Sequence, residues 1–479
     1  MAQVDINKYF KPDLKKARKR TKESVEEINF QLKDMHKKIG INKKYQIHTY
    51  GCQSNEADSE TMAGILELMG FTKTDIESES DVIILNTCAI RENAENRIWG
   101  ELGRLKAFKR ENPDLILALA GCMAQEENVV ERVLKKYHHV DIIFGTHNIH
   151  LLPDYIETAM FSKEKVVEVF SNEGEIVENL PKTRNHQFKA WVNIMFGCDE
   201  FCTYCIVPYT RGKERSRSKE DIIEEVKSLV LEGYVEMTLL GQNVNAYGKD
   251  FKDIDYTFGD LLRDLDDLGM KRIRFTTSHP HDLDLKTMEA IRDSKHVMPF
   301  FHLPVQSGSN AVLKRMNRHY TKESYLNVLN QLKETVPGIS VTTDIIVGFP
   351  GETEEDFEQT LDLVEQANFE GAYTFVYSKR AGTPAATYEE TTPDELKKAR
   401  LYRLNEKVND GYLRGNKQFE GRTVKVLVDG VSKHNEEVLA GYSEHNKLVN
   451  FKGDKSLIGQ IVSVKITKAK TWFLLGDLQ

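Results

Sequence analysis

The chain has 479 residues, 40% hydrophobic and 29% charged, with a mean hydropathy of −0.48 and a net charge of −8. That profile excludes a disordered or fibrous protein, and no apolar run approaches the ~18–20 residues that a membrane helix needs. Charge is uneven: residues 1–44 carry a net +7, residues 417–479 a net +3, and the middle therefore −18. Residues 1–44 read as a basic, partly helical extension. It lacks the apolar stretch of a secretory leader, so a cytoplasmic location is expected.

Residues 45–160 read as the next domain, an alternation of strands and helices. Strands are expected at Tyr45–Tyr50, Asp81–Thr87, Leu115–Ala120 and Asp141–Phe144, with helices near Glu56–Met69, Glu92–Arg110 and Gln125–Lys136. Such alternation implies a parallel sheet with right-handed crossovers. Cys52, Cys88 and Cys122 each fall where a strand hands over to its helix. In an open parallel sheet these carboxyl ends share the edge where ligands bind. Residues some 35 apart in sequence can therefore converge. Three ordinary buried cysteines are the competing reading, because a free thiol packs as a small hydrophobe.

Residues 151–187 read as a polar connector that includes Ser171-Asn172-Glu173-Gly174. A second alternating series follows, assigned to a domain over 184–416. Its strands are expected at Trp191–Phe196, Val235–Leu240, Arg272–Thr277, Pro299–Pro304, Ile339–Val347 and Gly371–Tyr377. Six βα units suit an incomplete barrel. A helix-rich run from Pro393 to about Lys417 closes it. Residues 417–479 change character: Val424–Val428 and Val462–Ile466 alternate between glycines, as in a small β-barrel of the oligonucleotide-binding kind.

The other three cysteines lie in one loop, Gly197-Cys198-Asp199-Glu200-Phe201-Cys202-Thr203-Tyr204-Cys205, after the first strand of the second series. Six cysteines in a cytosolic chain of this length are not a disulfide framework. Three thiolates at this spacing can hold three irons of a four-iron cluster and leave the fourth open to another ligand. Zinc with a distant histidine such as His186, or a redox pair, are the alternatives; neither spacing rule is met.

On these residues the loop resembles the radical S-adenosylmethionine signature C-x3-C-x-Φ-C, with Tyr204 as the aromatic. The architecture resembles the methylthiotransferases of that superfamily, with the terminal barrel similar to their TRAM domain. Matching motifs are Asn86-Thr87-Cys88-Ala89-Ile90-Arg91-Glu92-Asn93-Ala94, Tyr209-Thr210-Arg211-Gly212, Gly241-Gln242-Asn243-Val244-Asn245 and Leu303-Pro304-Val305-Gln306-Ser307-Gly308. The run after Cys88 looks most like the branch acting on isopentenylated adenosine in tRNA.

The resemblance implies a partial (βα)6 barrel and two [4Fe-4S] clusters. Cys198, Cys202 and Cys205 would hold one, whose open iron chelates S-adenosylmethionine and yields a 5′-deoxyadenosyl radical. Cys52, Cys88 and Cys122 would hold another that carries sulfur. The product would be a methylthio group at C2 of N6-isopentenyladenosine beside the anticodon, at tRNA position 37. Tyr204, Gln242, Asn243, Ser278, Gln306 and Gly348 are the expected S-adenosylmethionine contacts, although the usual Gly-Gly-Glu after the second barrel strand is absent. His279 and His281 flank Pro280 and read as a structural turn.

The expected partners are the anticodon loop of tRNA, a flavodoxin- or ferredoxin-like electron donor and a sulfur source, with the chain a monomer and no membrane involved. Lys465, Lys468, Lys470 and the Arg211–Lys219 stretch are the expected RNA anchors, since phosphate neutralisation by Lys and Arg gives affinity. Methylthiolation of threonylcarbamoyl adenosine or of a ribosomal-protein aspartate would share the domain plan. A non-catalytic RNA-binding protein with structural clusters is the third reading; it needs four-ligand clusters, which two triplets do not provide.

Overall fold

The computed structural model describes residues 14–20, 26–89, 92–169, 175–252, 254–433 and 435–479. Ile90 and Arg91 of the run after Cys88, Ser171–Gly174 of the connector, and residues 1–13 and 21–25 of the extension lie outside the described residues. The chain divides into two compact units. One holds Met1–Asn185, Met195–Arg217 and Arg380–Ala386; the other holds His186–Ile194, Ser218–Lys379 and Thr387–Gln479.

The first unit is built on a parallel sheet of β1 (Lys44–Tyr50), β2 (Val82–Thr87), β3 (Ile116–Gly121), β4 (Ile142–Phe144) and β5 (Val166–Glu168) in that spatial order, with Thr72–Lys73 beyond β1. Helices α1 (Gln53–Leu68), α2 (Glu92–Glu111), α3 (Glu127–Lys136) and α4 (Leu152–Phe161) connect the strands. β2 and β3 are buried at every position, as strands covered on both faces must be. Val82, Ile84, Ala118 and Ala120 serve one apolar layer, while Ile83, Leu85, Leu117 and Leu119 serve the other.

The stretch read as a polar connector contains α4 and β5. Leu152, Pro153, Tyr155 and Ile156 of α4 are buried, and Ala159 and Met160 pack partly buried against the same core. Glu175–Glu178 pairs in parallel with Glu26–Asn29 of the extension. Neither strand has an apolar alternation that sequence could show.

In the second unit six parallel strands form two groups of three. β6 (Lys189–Asn193), β7 (Glu236–Leu240) and β8 (Arg272–Phe275) lie in the order β8-β7-β6, and β9 (Phe300–His302), β10 (Ser340–Val347) and β11 (Gly371–Val376) in the order β9-β10-β11. An isolated bridge, Ile273 to Val297, links the groups. The strand expected at Trp191–Phe196 is split: Met195–Phe196 leaves the parallel group and pairs antiparallel with Arg215–Ser216. The long helix α5 (Asp394–Lys417) leads into a closed barrel of β12 (Thr423–Ser432), β13 (Asn435–Ser443), β14 (Leu448–Lys452), β15 (Ile461–Ala469) and β16 (Leu474–Leu478).

Two arginines of β8 fasten that barrel. Arg272 donates to the carbonyls of Tyr442 at 2.8 Å and Lys425 at 2.7 Å, and Arg274 donates to the Ser443 carbonyl at 2.7 Å while pairing with Glu236. Burial brings the Arg272 guanidinium down to about 10, a cost that such hydrogen bonds offset.

Candidate functional site

The strand register gathers the first three cysteines. Tyr50 pairs with Thr87, and Thr87 with Gly121, so the ends of β1, β2 and β3 are level. Cys88 and Cys122 follow at once; Cys52 follows one residue later, and the Cys88 amide donates to the Tyr50 carbonyl at 3.0 Å. Gly121 has φ +94, and a Cβ there would overlap Asn86 Oδ1 and stand 2.5 Å from the Thr87 carbonyl oxygen. Only glycine delivers Cys122 to that place.

A buried amide pair fixes the spacing. Asn86 Nδ2 donates to the Asn55 carbonyl at 2.7 Å and to Ser59 Oγ at 2.9 Å, and Asn55 Nδ2 donates back to Asn86 Oδ1 at 3.2 Å. Asn55 Oδ1 accepts from the Cys52 amide at 3.3 Å and lies 3.4 Å from Cys52 Sγ. Cys52 is also the N-cap of α1, where the helix dipole favours a thiolate. A hydrogen bond from Cys88, and then the Arg211 charge, hold the Cys52 thiol well below its ordinary range. Burial pushes Cys122 up. Arg211 donates from Nε to Cys122 Sγ at 3.2 Å and from Nη2 to Asp58 Oδ2 at 2.6 Å, with both side chains of the ion pair buried.

The second triplet belongs to the same compact unit. Gly197 has φ +78, and a Cβ there would overlap the Lys213 carbonyl oxygen. The Cys198 amide donates to the Gly212 carbonyl at 3.2 Å, the Asp199 amide to Glu214 Oε1 at 3.2 Å, and the Cys205 amide to the Cys202 carbonyl at 3.0 Å. Burial pushes the Cys198 thiol well up, and Glu214, Cys202 and Cys205 add to it. The three sulfurs thus feel one another. Tyr204 is half-buried on this loop. Phe201 packs with Cys122, Ala89, Ile206, Tyr209 and Ala17 in one apolar cluster, so the loop of one triplet lies against a cysteine of the other.

Soft thiols gathered in threes, each buried or half-buried, fit iron–sulfur ligation. Ionising them in an apolar interior is costly unless metal charge compensates.

In the second unit the remaining candidates lie past strand ends. Ser278 Oγ, Gln306 Oε1 and both amide atoms of Asn245 are buried with no hydrogen-bond partner among the described residues. Such orphans call for a ligand. Gln306 also has φ +69, a strained backbone of the sort that clusters at ligand sites. Asn243 is otherwise employed: its Nδ2 donates to Asp282 Oδ2 at 2.5 Å and its Oδ1 accepts the His279 amide at 3.0 Å. The Gly348 amide donates to Glu352 Oε2 at 2.9 Å. Gln242 is half-buried. His279 caps the short turn Pro280–Asp282 through its Nδ1.

One expectation is overturned. Arg211, Lys213, Arg215 and Arg217 are buried; Arg211 serves Asp58 and Cys122, and Arg217 forms a two-pronged pair with Glu178 at 2.7 and 2.6 Å. Residues 211–217 are interior scaffolding, not an RNA-facing patch, while Lys219 is half-buried. Lys465, Lys468 and Lys470 are exposed. Asn55, Asp58 and Asn245 went unremarked as candidates from sequence, because polar residues signal a site only once their burial is seen.

Comparison with known proteins adds three family matches: the radical SAM superfamily over residues 192–364, the uncharacterized protein family UPF0004 over 44–145, and the TRAM domain over 417–478. The chain is similar to the tRNA-2-methylthio-N(6)-dimethylallyladenosine synthase of Oceanobacillus iheyensis, 58% identical over 98% of this chain and 92% of the relative. It is 56% identical to the protein of the same name from Bacillus subtilis, over 100% of this chain and 95% of the relative. Among solved structures, the radical S-adenosylmethionine methyltransferase TsrM of Kitasatospora setae matches with a TM-score of 0.52 at 12% identity, over 72% of this chain and 75% of that one. That likeness concerns the fold alone.

Proposed function

This chain belongs to the radical S-adenosylmethionine methylthiotransferases, in the branch of the tRNA-2-methylthio-N(6)-dimethylallyladenosine synthases, and from that premise we infer how its residues serve the reaction. It is an enzyme that methylthiolates C2 of N6-isopentenyladenosine in tRNA, using [4Fe-4S] clusters and S-adenosylmethionine. The C2–H bond is too weakly acidic for a general base. When bound, the cluster with S-adenosylmethionine supplies homolytic activation of that bond, and the second cluster supplies sulfur.

The ligands we assign are Cys198, Cys202 and Cys205 for the first cluster and Cys52, Cys88 and Cys122 for the second. The observation that carries this is the gathering of two thiol triplets in one compact unit, with a glycine at positive φ just before Cys122 in one and just before Cys198 in the other. Asn245, Ser278 and Gln306 offer polar atoms without a partner among the described residues and are assigned to S-adenosylmethionine, with Gln242 and the backbone at Gly348. Asn243 acts one step back, holding the turn that carries His279. The clasp of Arg272 and Arg274 sets the terminal barrel on the β8 edge, and its exposed Lys465, Lys468 and Lys470 meet the RNA backbone.

A flavodoxin- or ferredoxin-like donor provides electrons, a separate sulfur source recharges the second cluster, and the chain works as a cytoplasmic monomer. No helix among the described residues is long and apolar enough to cross a membrane.

Nucleoside mass spectrometry tests the substrate, using tRNA from a strain without its own methylthiolating enzyme. With the gene, 2-methylthio-N6-isopentenyladenosine accumulates; with an empty vector it does not. Persistence of the unmodified isopentenyl form despite intact clusters would refute the assignment and turn attention to threonylcarbamoyl adenosine.

A further inference from the structure

Arg211 lies at an unusual junction. It sits six residues past Cys205 yet donates to the sulfur of Cys122, a member of the other triplet. Its second prong meets Asp58 on α1, the helix capped by Cys52. The backbone around it is pinned: the Thr210 carbonyl accepts from Thr146 Oγ1 at 2.8 Å, and the Arg211 carbonyl accepts from Arg215 Nη2 at 3.3 Å. Both Arg211 and Asp58 are buried, at 6% exposure each.

We propose that Arg211, oriented by Asp58, is a positioning residue that sets the reduction potential of the sulfur-carrying cluster and ties that cluster to the loop of the radical cluster. The inference rests on assigning Cys52, Cys88 and Cys122 to a cluster. A guanidinium can address a sulfur and a carboxylate at once with fixed angles, which a lysine ammonium cannot do with the same geometry. Hydrogen bonds and net charge at the ligating sulfurs are among the terms that set cluster potentials. In a dry interior they act with little screening. The positive group faces the thiolate and the negative group stands behind it. Removing the first therefore makes the cluster harder to reduce, and neutralising the second makes it easier. A purely structural pair would not give opposite signs.

The geometry also places Arg211 as a mechanical link. Its segment begins at the radical-cluster loop and ends on Cys122, and Phe201 of that loop packs beside the same cysteine. Disturbance of one triplet is thereby carried to the other along six residues of chain and one hydrogen bond.

The experiment uses the full chain with Cys198→Ala, Cys202→Ala and Cys205→Ala, so that iron, sulfide and paramagnetic signals come from the other cluster alone. Potentiometric titration followed by electron paramagnetic resonance is run on this parent and with Arg211→Gln, Arg211→Lys or Asp58→Asn added. The midpoint moves negative in Arg211→Gln, less so in Arg211→Lys, and positive in Asp58→Asn, at unchanged iron content. An unmoved midpoint in a loaded Arg211→Gln protein, or shifts of the same sign in Arg211→Gln and Asp58→Asn, overturns the proposal. Should Arg211→Gln lose its iron, the sign in Asp58→Asn decides. A parent that binds no cluster refutes the ligand assignment itself, which is a separate failure.

Discussion

The two cysteine triplets reach the same ligand set by opposite routes. Cys198, Cys202 and Cys205 lie within eight residues, and a loop anchored at Gly212 and Glu214 suffices to present them. Cys52, Cys88 and Cys122 come from three strands and converge only because β1, β2 and β3 end level. A local site depends on a turn, whereas a dispersed site depends on an intact sheet. Defects in the sheet should therefore damage the dispersed site first. That division also suits the labour proposed here, with radical initiation at the compact loop and sulfur carriage at the sheet edge.

The widest separation between the sites comes from removing a ligand. Cys202→Ala should abolish both S-adenosylmethionine cleavage and tRNA methylthiolation, each followed by chromatography of the products, while iron bound at the sheet edge persists. A residual tRNA product from that variant would break the division. Next come the two glycines. Gly121→Ala strains a left-handed backbone position and crowds Thr87, at a cost of about 1–3 kcal/mol. It should lower iron at the sheet-edge triplet while leaving the loop signal. Gly197→Ala should do the reverse, as Mössbauer spectra of the two proteins would show.

Asn86→Ala tests the sheet-edge scaffold alone. It leaves Asn55 and Ser59 short of buried partners, a loss of about 1–3 kcal/mol, read as a lower denaturation midpoint. The loop triplet, which owes nothing to that amide, should keep its iron. The last effect concerns acidity. Burial, reinforced by Glu95 and opposed by Arg380, pushes the Glu126 carboxyl up to about 7 from an ordinary 4.5. The folded chain then holds this proton more tightly than the unfolded chain does. Stability therefore falls as pH rises across that window and levels off above it. Glu126→Gln removes the titration, so its stability relative to the parent should rise from pH 5 to pH 8, by about 2–3 kcal/mol. A constant offset between the two proteins would contradict the shift.

The contrast also explains what could be read from the chain. The loop triplet and its spacing are visible in a nine-residue window. The dispersed triplet was legible because each cysteine falls where a strand hands over to its helix, which is a pattern of sequence. Hydrophobic alternation likewise announced the sheet, the six barrel strands and the terminal barrel. Pairing partners carry no such mark: Glu26–Asn29 and Glu175–Glu178 are polar strands that find each other across the unit. The Arg211–Arg217 stretch misled for a related reason. A run of cations looks solvated until the buried carboxylates Asp58 and Glu178 appear opposite. Asn245 needed burial without a partner to become a candidate, and that is a property of packing.

The central claim is that the sheet-edge triplet serves sulfur transfer and the loop triplet serves radical initiation. It is tested most directly by incubating reduced Cys88→Ala enzyme with S-adenosylmethionine and isopentenylated tRNA, and quantifying 5′-deoxyadenosine and the methylthiolated nucleoside together. The account predicts continued formation of 5′-deoxyadenosine with no methylthiolated nucleoside. Methylthiolation at the unaltered rate, or loss of both products with the loop cluster intact, would contradict it.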